Sequence, residues 1–257
     1  MKRNLDLPDM NYSQDGRPSD PFEHLPQLRD RLIAAEHSRA RVTAEVLASW
    51  DKKALEMGED ANWRQPDTQR EANRVRLLAG RQQAADVWVF AYGSLMWDPG
   101  FYFAEVRRAQ LSDHERSFNY QVIAGRGTPT QPGLVLSLMP RPGRSCEGLA
   151  FRIAAERVEI ETQILWRREM LRGGYNPKWL DLQTPQGHVC ALVFAANPEE
   201  PMYVHGLSQQ ETAHRLTQAQ GHLGKNRDYL EQLAQQLQCL DIEDSYVIDL
   251  HRLVAAL

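Results

Sequence analysis

The sequence predicts an α+β protein in which a series of strands is followed by helices and preceded by a helical extension. Three observations carry that expectation. Short apolar segments bounded by Gly or Pro recur between Val87 and Ala195. Helical periodicity takes over after Gly206, and a single helical stretch around Leu165 interrupts the strands. Ahead of Val87 the pattern is polar and helical.

Residues 1 to about 25 are rich in Asp, Asn, Ser, Gly and Pro with few apolar anchors, so an arm with no core of its own is expected. From Leu28, apolar residues at Leu32, Ala35, Val42, Val46 and Trp50 are consistent with one long amphipathic helix, with Arg29, Arg31, Glu36, Arg39 and Glu45 off that line. A second helix is expected over residues 68–85, around Val75, Leu77 and Leu78. One apolar stripe cannot form a stable unit by itself. Residues 1–86 are therefore an extension expected to pack on residues 87–257 or on a second subunit. Within 87–257 the strand candidates are residues 87–91, 118–123, 134–139, 147–153, 179–183 and 189–195, with the Leu165 helix between the fourth and fifth. Ser208 and Glu211 form a capping-box signature, and two further helices carry Tyr229, Leu230, Leu233 and Leu237, then Val247, Leu250 and Val254.

At 257 residues with 42% hydrophobic and 25% charged composition, the chain reads as an ordinary globular protein. A net charge of -4 with scattered Lys and Arg predicts no nucleic-acid partner. The apolar runs are too short for a bilayer and the start has no hydrophobic signal core, so no membrane partner and a cytoplasmic location are expected. Cys146, Cys190 and Cys239 have no CxxC spacing, so they are expected to be reduced and mostly buried. The eight histidines include no HxxxH pair, and the glycines near residue 93 form neither GxGxxG nor a P-loop. Neither a metal nor another cofactor is expected.

Two features carry chemistry. The apolar run at residues 87–91 stops at Tyr92-Gly93-Ser94-Leu95, a turn able to aim backbone N–H groups at a ligand, although an ordinary strand end has the same look. Val158, Glu161 or Thr162, Leu165 and Glu169 recur at helical spacing, which sets Glu169 on a largely buried stripe near a helix C-terminus. Burial and the helix dipole both disfavour its ionised form, while Arg167, Arg168 and Arg172 act the other way. The alternative is an ion pair on a solvated face.

Together these residues resemble the ChaC family of γ-glutamylcyclotransferases, which cleave glutathione. The resemblance rests on Val89-Phe90-Ala91-Tyr92-Gly93-Ser94-Leu95-Met96-Trp97, then Arg126-Gly127-Thr128-Pro129 leading to Pro132-Gly133-Leu134-Val135-Leu136, then Arg168-Glu169 with Gly173-Gly174-Tyr175, and finally the segment from Gly221-His222-Leu223-Gly224 to Tyr229-Leu230. It covers about residues 87–257; family members often carry glycine where this chain has Ala91. The resemblance implies a small mixed β-barrel flanked by helices and a cofactor-free lactam closure that yields 5-oxoproline and Cys-Gly. Glu169 is then the general base, and Tyr92, Gly93, Ser94 and Leu95 form the γ-glutamyl pocket. Arg126, in a Gly-rich turn, is a candidate for binding a substrate carboxylate, with a surface arginine as the alternative. Tyr175 and Tyr203 are candidate donors inside the pocket, with core or rim positions equally open. Two other functions compete: the same closure on other γ-glutamyl amines or amino acids, and a γ-glutamyl-binding module without turnover. The oligomeric state is left open.

Overall fold

The computed structural model describes residues 20–56, 58, 60, 62–80 and 85–257. Residues 1–19 of the expected arm and residues 81–84 of the expected second helix lie outside them, while Leu25 at the end of that arm is buried in the core. Strands β1 (Val87–Ala91), β2 (Glu105–Val122), β3 (Gly133–Ile153), β4 (Tyr175–Thr184) and β5 (Gly187–Ala196) close into a barrel in the order β1-β3-β2-β4-β5. Closure comes from parallel pairing of β1 with β5, Trp88 opposite Ala191 and Val89 opposite Leu192. The other neighbours run antiparallel. Val89, Phe90, Ala91 and residues 191–196 are buried in succession rather than alternately, because one face fills the barrel and the other is covered by helices.

Helices α1 (Ala44–Glu56), α2 (Asp67–Leu78), α3 (Val158–Glu169), α4 (Gln209–Gln218), α5 (Arg227–Cys239) and α6 (Ser245–Ala255) complete the domain, with a two-residue ribbon of β6 (Gln220–Gly221) and β7 (Gly224–Lys225) ahead of α5. The capping box forms as expected: Ser208 Oγ accepts from the Glu211 amide at 3.2 Å, and Glu211 Oε2 accepts from the Ser208 amide at 2.9 Å. Tyr229, Leu230, Leu233 and Leu237 of α5 and Val247 and Leu250 of α6 are buried in the common core.

Two strand expectations need correction. Residues 134–139 and 147–153 belong to one strand, β3, which continues past the Pro140–Arg144 region. A register shift there is absorbed by a bulge in β3, whose residues 141–144 stand opposite the single residue Asp113, where φ is +56° and the carboxylate accepts from the Gly143 amide at 2.8 Å. β2 begins at Glu105, far ahead of the expected residue 118. Its first half is too charged to read as a strand, and those charges are neutralised across the barrel wall. Arg152 reaches Glu105 at 2.8 Å, Arg108 reaches Glu147 at 2.6 Å, and Arg116 reaches Asp244 at 2.9 Å.

The single long helix expected from Leu28 does not form. The chain instead makes 3-10 turns at Pro26–Leu28 and Ala35–His37 before α1 starts at Ala44. Leu28, Ala35 and Val42 are buried as anticipated, but on a strap whose polar groups bond to the core rather than along a helix. The Ile33 amide donates to Trp97 O at 2.9 Å, Ser38 Oγ to Asp98 at 2.5 Å, and Arg41 to both oxygens of Glu161 at 2.6 and 3.1 Å. The described part of the second helix, α2, docks on α3: Arg74 pairs with Glu159 at 2.6 Å and donates to Thr162 at 2.9 Å, and Asn73 accepts from the Trp166 indole at 3.0 Å.

Glu161 is 1% exposed, so its charge depends on Arg41. Arg41→Ala is expected to cost about 3 kcal/mol by leaving that carboxylate unpaired in the interior. A chemical-denaturation midpoint measures it, and adding Glu161→Gln should restore part of the loss.

Candidate active site

β1 delivers the chain to Tyr92 and Gly93, after which Ser94–Met96 forms a 3-10 turn. Gly93 has φ −138° and ψ −133°, a pair that is neither extended nor helical. Space is also limited there: a Cβ would lie 2.8 Å from the Tyr229 hydroxyl and 3.5 Å from Leu136. The Ser94 amide donates to that hydroxyl at 3.1 Å, and the Met96 amide to Gly93 O at 2.8 Å. Among the described residues, the Gly93 and Leu95 amides donate to no acceptor, as the first amides of a helical turn commonly do not.

Glu169 is the last residue of α3, and its side chain is 14% exposed. Burial raises its pKa, opposed by the Arg168 guanidinium, whose Nε lies 3.1 Å from Oε1. Arg168 also ties helix to loop, donating to Ser94 Oγ at 2.9 Å and to Asp98 O at 2.6 Å. The pair is therefore enclosed by the Tyr92–Asp98 loop rather than lying on a solvated face.

Three phenols feel the Glu169 charge. Burial is the main cause that raises the pKa of Tyr92, Tyr175 and Tyr229, the last to about 12, and Glu169 adds to each. All three stay protonated at neutral pH, but their protons go to different places. Tyr92 donates to Phe194 O at 2.6 Å and Tyr175 to Leu136 O at 3.0 Å, which leaves each phenol oxygen able to accept a hydrogen bond. Tyr229 accepts from the Ser94 amide, so its own proton is free to be donated. Gly173, at φ +81°, makes the turn after α3, and Gly174 leaves room for Tyr120, which stacks on Tyr175 at 5.4 Å.

Of the residues singled out in the sequence, Tyr92, Gly93, Ser94, Tyr175 and Glu169 come together, and Leu95 next to them is buried. Arg126 stands apart, donating to Lys225 O at 3.0 Å and Gln232 at 3.3 Å along the outer side of α5. Tyr203 also stands apart, accepting from Asn119 at 3.1 Å and packing on His205. Sequence reasoning gave neither Tyr229 nor Arg168 a role in the site, although both lie in the residue blocks that carry the family resemblance. A tyrosine hydroxyl on the leucine-rich face of α5 was a further signal. The cysteines differ from expectation: Cys146 is buried, Cys239 half-buried and Cys190 exposed. Among the described residues, no group of three or more His, Cys, Asp and Glu side chains is placed to hold a metal ion.

A five-stranded barrel whose first strand ends in a Gly-Ser turn, facing a buried glutamate at a helix end, matches a known class. Residues 87–257 match the family model for ChaC-like proteins, and the chain belongs to that family. It is 39% identical over 183 residues to the glutathione-specific gamma-glutamylcyclotransferase of Escherichia coli, covering 71% of this chain and 78% of the relative. It is 30% identical over 185 residues to glutathione-specific gamma-glutamylcyclotransferase 1 of Danio rerio, covering 70% of this chain and 93% of the relative. The crystal structure of a γ-glutamyl cyclotransferase specific to glutathione from yeast superposes with TM-score 0.62 at 21% identity, over 67% of this chain and 96% of that one, which shows a common fold.

The Gly93–Tyr229 contact makes a specific expectation. Gly93→Ala should destabilise by about 1–3 kcal/mol through overpacking. In a Tyr229→Phe background the penalty should shrink, because the atom met by the new methyl is gone. A double-mutant cycle in denaturant measures that coupling.

Proposed function

We propose that this protein is a glutathione-specific γ-glutamylcyclotransferase, cleaving glutathione to 5-oxoproline and Cys-Gly, and that Glu169 is its general acid and base. The observation that carries the assignment of Glu169 is a largely buried carboxylate of raised pKa, tied through Arg168 to the Ser94 hydroxyl and sensed by the phenols of Tyr92, Tyr175 and Tyr229, in a chain of this family.

The substrate's α-amine and γ-carbonyl belong to one residue, so folding that residue brings nucleophile and electrophile together without water. The amine arrives as an ammonium. Glu169 takes one proton, with the oxygens of Tyr92 and Tyr175 accepting hydrogen bonds from those that remain. The freed lone pair forms the new C–N bond of the five-membered lactam. The carbonyl electrons move to oxygen, and the Gly93 and Leu95 amides with the Tyr229 hydroxyl are the donors for that oxyanion and for the α-carboxylate. Collapse breaks the original amide bond as the proton held by Glu169 passes to the departing nitrogen; the regenerated carboxylate then takes the second proton from the ring nitrogen, leaving the neutral lactam, and yields it to the released amine, which departs as an ammonium. In this reading Ser94 and Arg168 position the loop and the carboxylate, while Arg126 and Tyr203 take no part in the γ-glutamyl pocket. The described part of the extension, through Arg41, Asn73 and Arg74, braces α3 against the rest of the domain. Among the described residues no helix is long and apolar enough to cross a membrane, and the proposed location is the cytoplasm.

A turnover assay on glutathione, other γ-glutamyl dipeptides and γ-glutamyl amines tests the assignment: release of 5-oxoproline is expected from glutathione and little from the others. Equal rates would replace glutathione by a broader substrate class, and binding without turnover would make the protein a recognition module.

Glu169→Gln is expected to lower kcat by roughly two to four orders of magnitude while γ-glutamyl binding persists. Stability should move the other way. A raised pKa means that the native state holds the proton more tightly than the unfolded chain. That stabilisation is complete below the unfolded pKa and is lost as pH rises through the folded one. At neutral pH the ionised carboxylate is therefore a burden on the fold, and the glutamine variant should melt no lower than the parent. The acid limb of kcat/KM should lie above the ordinary glutamate range and should disappear in the variant. Near-normal turnover would remove Glu169 from the reaction.

A further inference from the structure

On the outer side of α3, away from the barrel mouth, α1, α2 and the segment leading into α2 enclose a cleft of about 390 Å3. One wall is apolar, made by Leu47 and Ala48 of α1 with Trp166 of α3; Arg64, Arg70 and Arg167 converge on the other. The volume lies within the range that holds small organic ligands. Arg167 precedes Glu169 by two residues, about 200° around the helix, so the cleft is a different site from the one described above.

The carboxylates on this cleft are already taken up. Arg64 chelates Asp51 at 2.7 and 2.8 Å and also reaches Asp67 at 2.5 Å. Arg74 chelates Glu71 at 2.6 and 3.0 Å. The cationic side is not balanced in the same way. The Arg70 side chain is 6% exposed; its Nη2 donates to Asp67, but its Nη1 is buried without an acceptor. Arg167 makes no hydrogen bond or ion pair among the described residues, although Glu45, Glu71 and Arg70 all sense its charge. Burial lowers the Arg70 pKa, and the neighbouring Arg64 and Arg167 add to that effect while Asp67 opposes it. A buried guanidinium N–H with no partner, beside a second uncommitted guanidinium, is an arrangement that a bound oxyanion completes.

We infer that this cleft binds a small organic anion, a single carboxylate or phosphate on an apolar body, with the oxyanion on Arg70 Nη1 and the Arg167 guanidinium and the apolar body against Leu47 and Trp166. The assignment is independent of the cyclotransferase reading, and its readout is binding rather than turnover.

Isothermal titration of the full chain with benzoate, phenyl phosphate and neutral benzamide tests it. Saturable binding of one equivalent is expected for benzoate, for phenyl phosphate or for both, with none for benzamide; which of the two anions binds more tightly identifies the oxyanion. Arg167→Gln, which removes an unpaired side chain and leaves the ion pairs around Arg64 and Arg74 intact, should weaken binding about tenfold or more, the loss expected for a charge-assisted hydrogen bond. Failure of both anions to bind, equal binding of benzamide, or unchanged affinity in Arg167→Gln would overturn the assignment.

Discussion

Parallel pairing of β1 with β5 is the contact on which the rest of the molecule depends. It closes the barrel, and it brings the end of β1 beside the end of β5, so that Tyr92 can donate to Phe194 O. The Phe194 ring in turn packs edge-on against Trp166 at 5.1 Å, which seats α3 at that end of the barrel. Glu169, one helical turn further along α3, then faces the Tyr92 loop. A loop, a helix end and a strand distant in sequence meet because one short parallel ladder joins the two edges of the sheet.

Charge is managed differently in the scaffold and at the site. Glu105, Glu161 and Arg152 are nearly inaccessible, yet each has a close opposite charge: Glu105 meets Arg107 and Arg152, and Glu161 meets Arg41. Removing one member of such a pair strands the other; Arg41 and Glu161 tie the strap of residues 33–41 to the domain in this way, and Arg74 with Glu159 does the same for helix α2. Glu169 has one cation, Arg168, and that guanidinium is shared with Ser94 Oγ and Asp98 O. Burial therefore raises its pKa, and Arg168 offsets only part of that effect. A group so placed is a liability for stability and an asset for moving a proton.

Glycines show how the same residue type answers to different constraints. Gly173 supplies a positive φ that turns the chain out of α3, whereas at Gly93, where φ is negative, Tyr229 leaves no room for a Cβ. The sequence motif around residue 93 is legible in either case, but only the fold reveals which constraint applies.

Local information in the chain was enough for β1, β5, the capping box before α4, the helix ending at Glu169 and the apolar faces of α5 and α6, because period and turn chemistry act over a few neighbouring residues. The residue pattern around Tyr92 and Glu169 also carried the family. Tertiary structure decided the remainder. Charged residues 105–117 became strand because Arg152, Glu147 and Asp244 wait opposite them, and residues 28–43 became a strap because Trp97, Asp98, Gly100 and Glu161 satisfy its polar groups in place of helical partners. Tyr229 entered the site and Arg126 stayed out for the same reason: on α5 the 228 and 232 positions face outward and 229 inward, and only the docking of that helix settles which of them meets Gly93. Periodicity specifies which face of an element is apolar, while partners far along the chain determine what that face will touch.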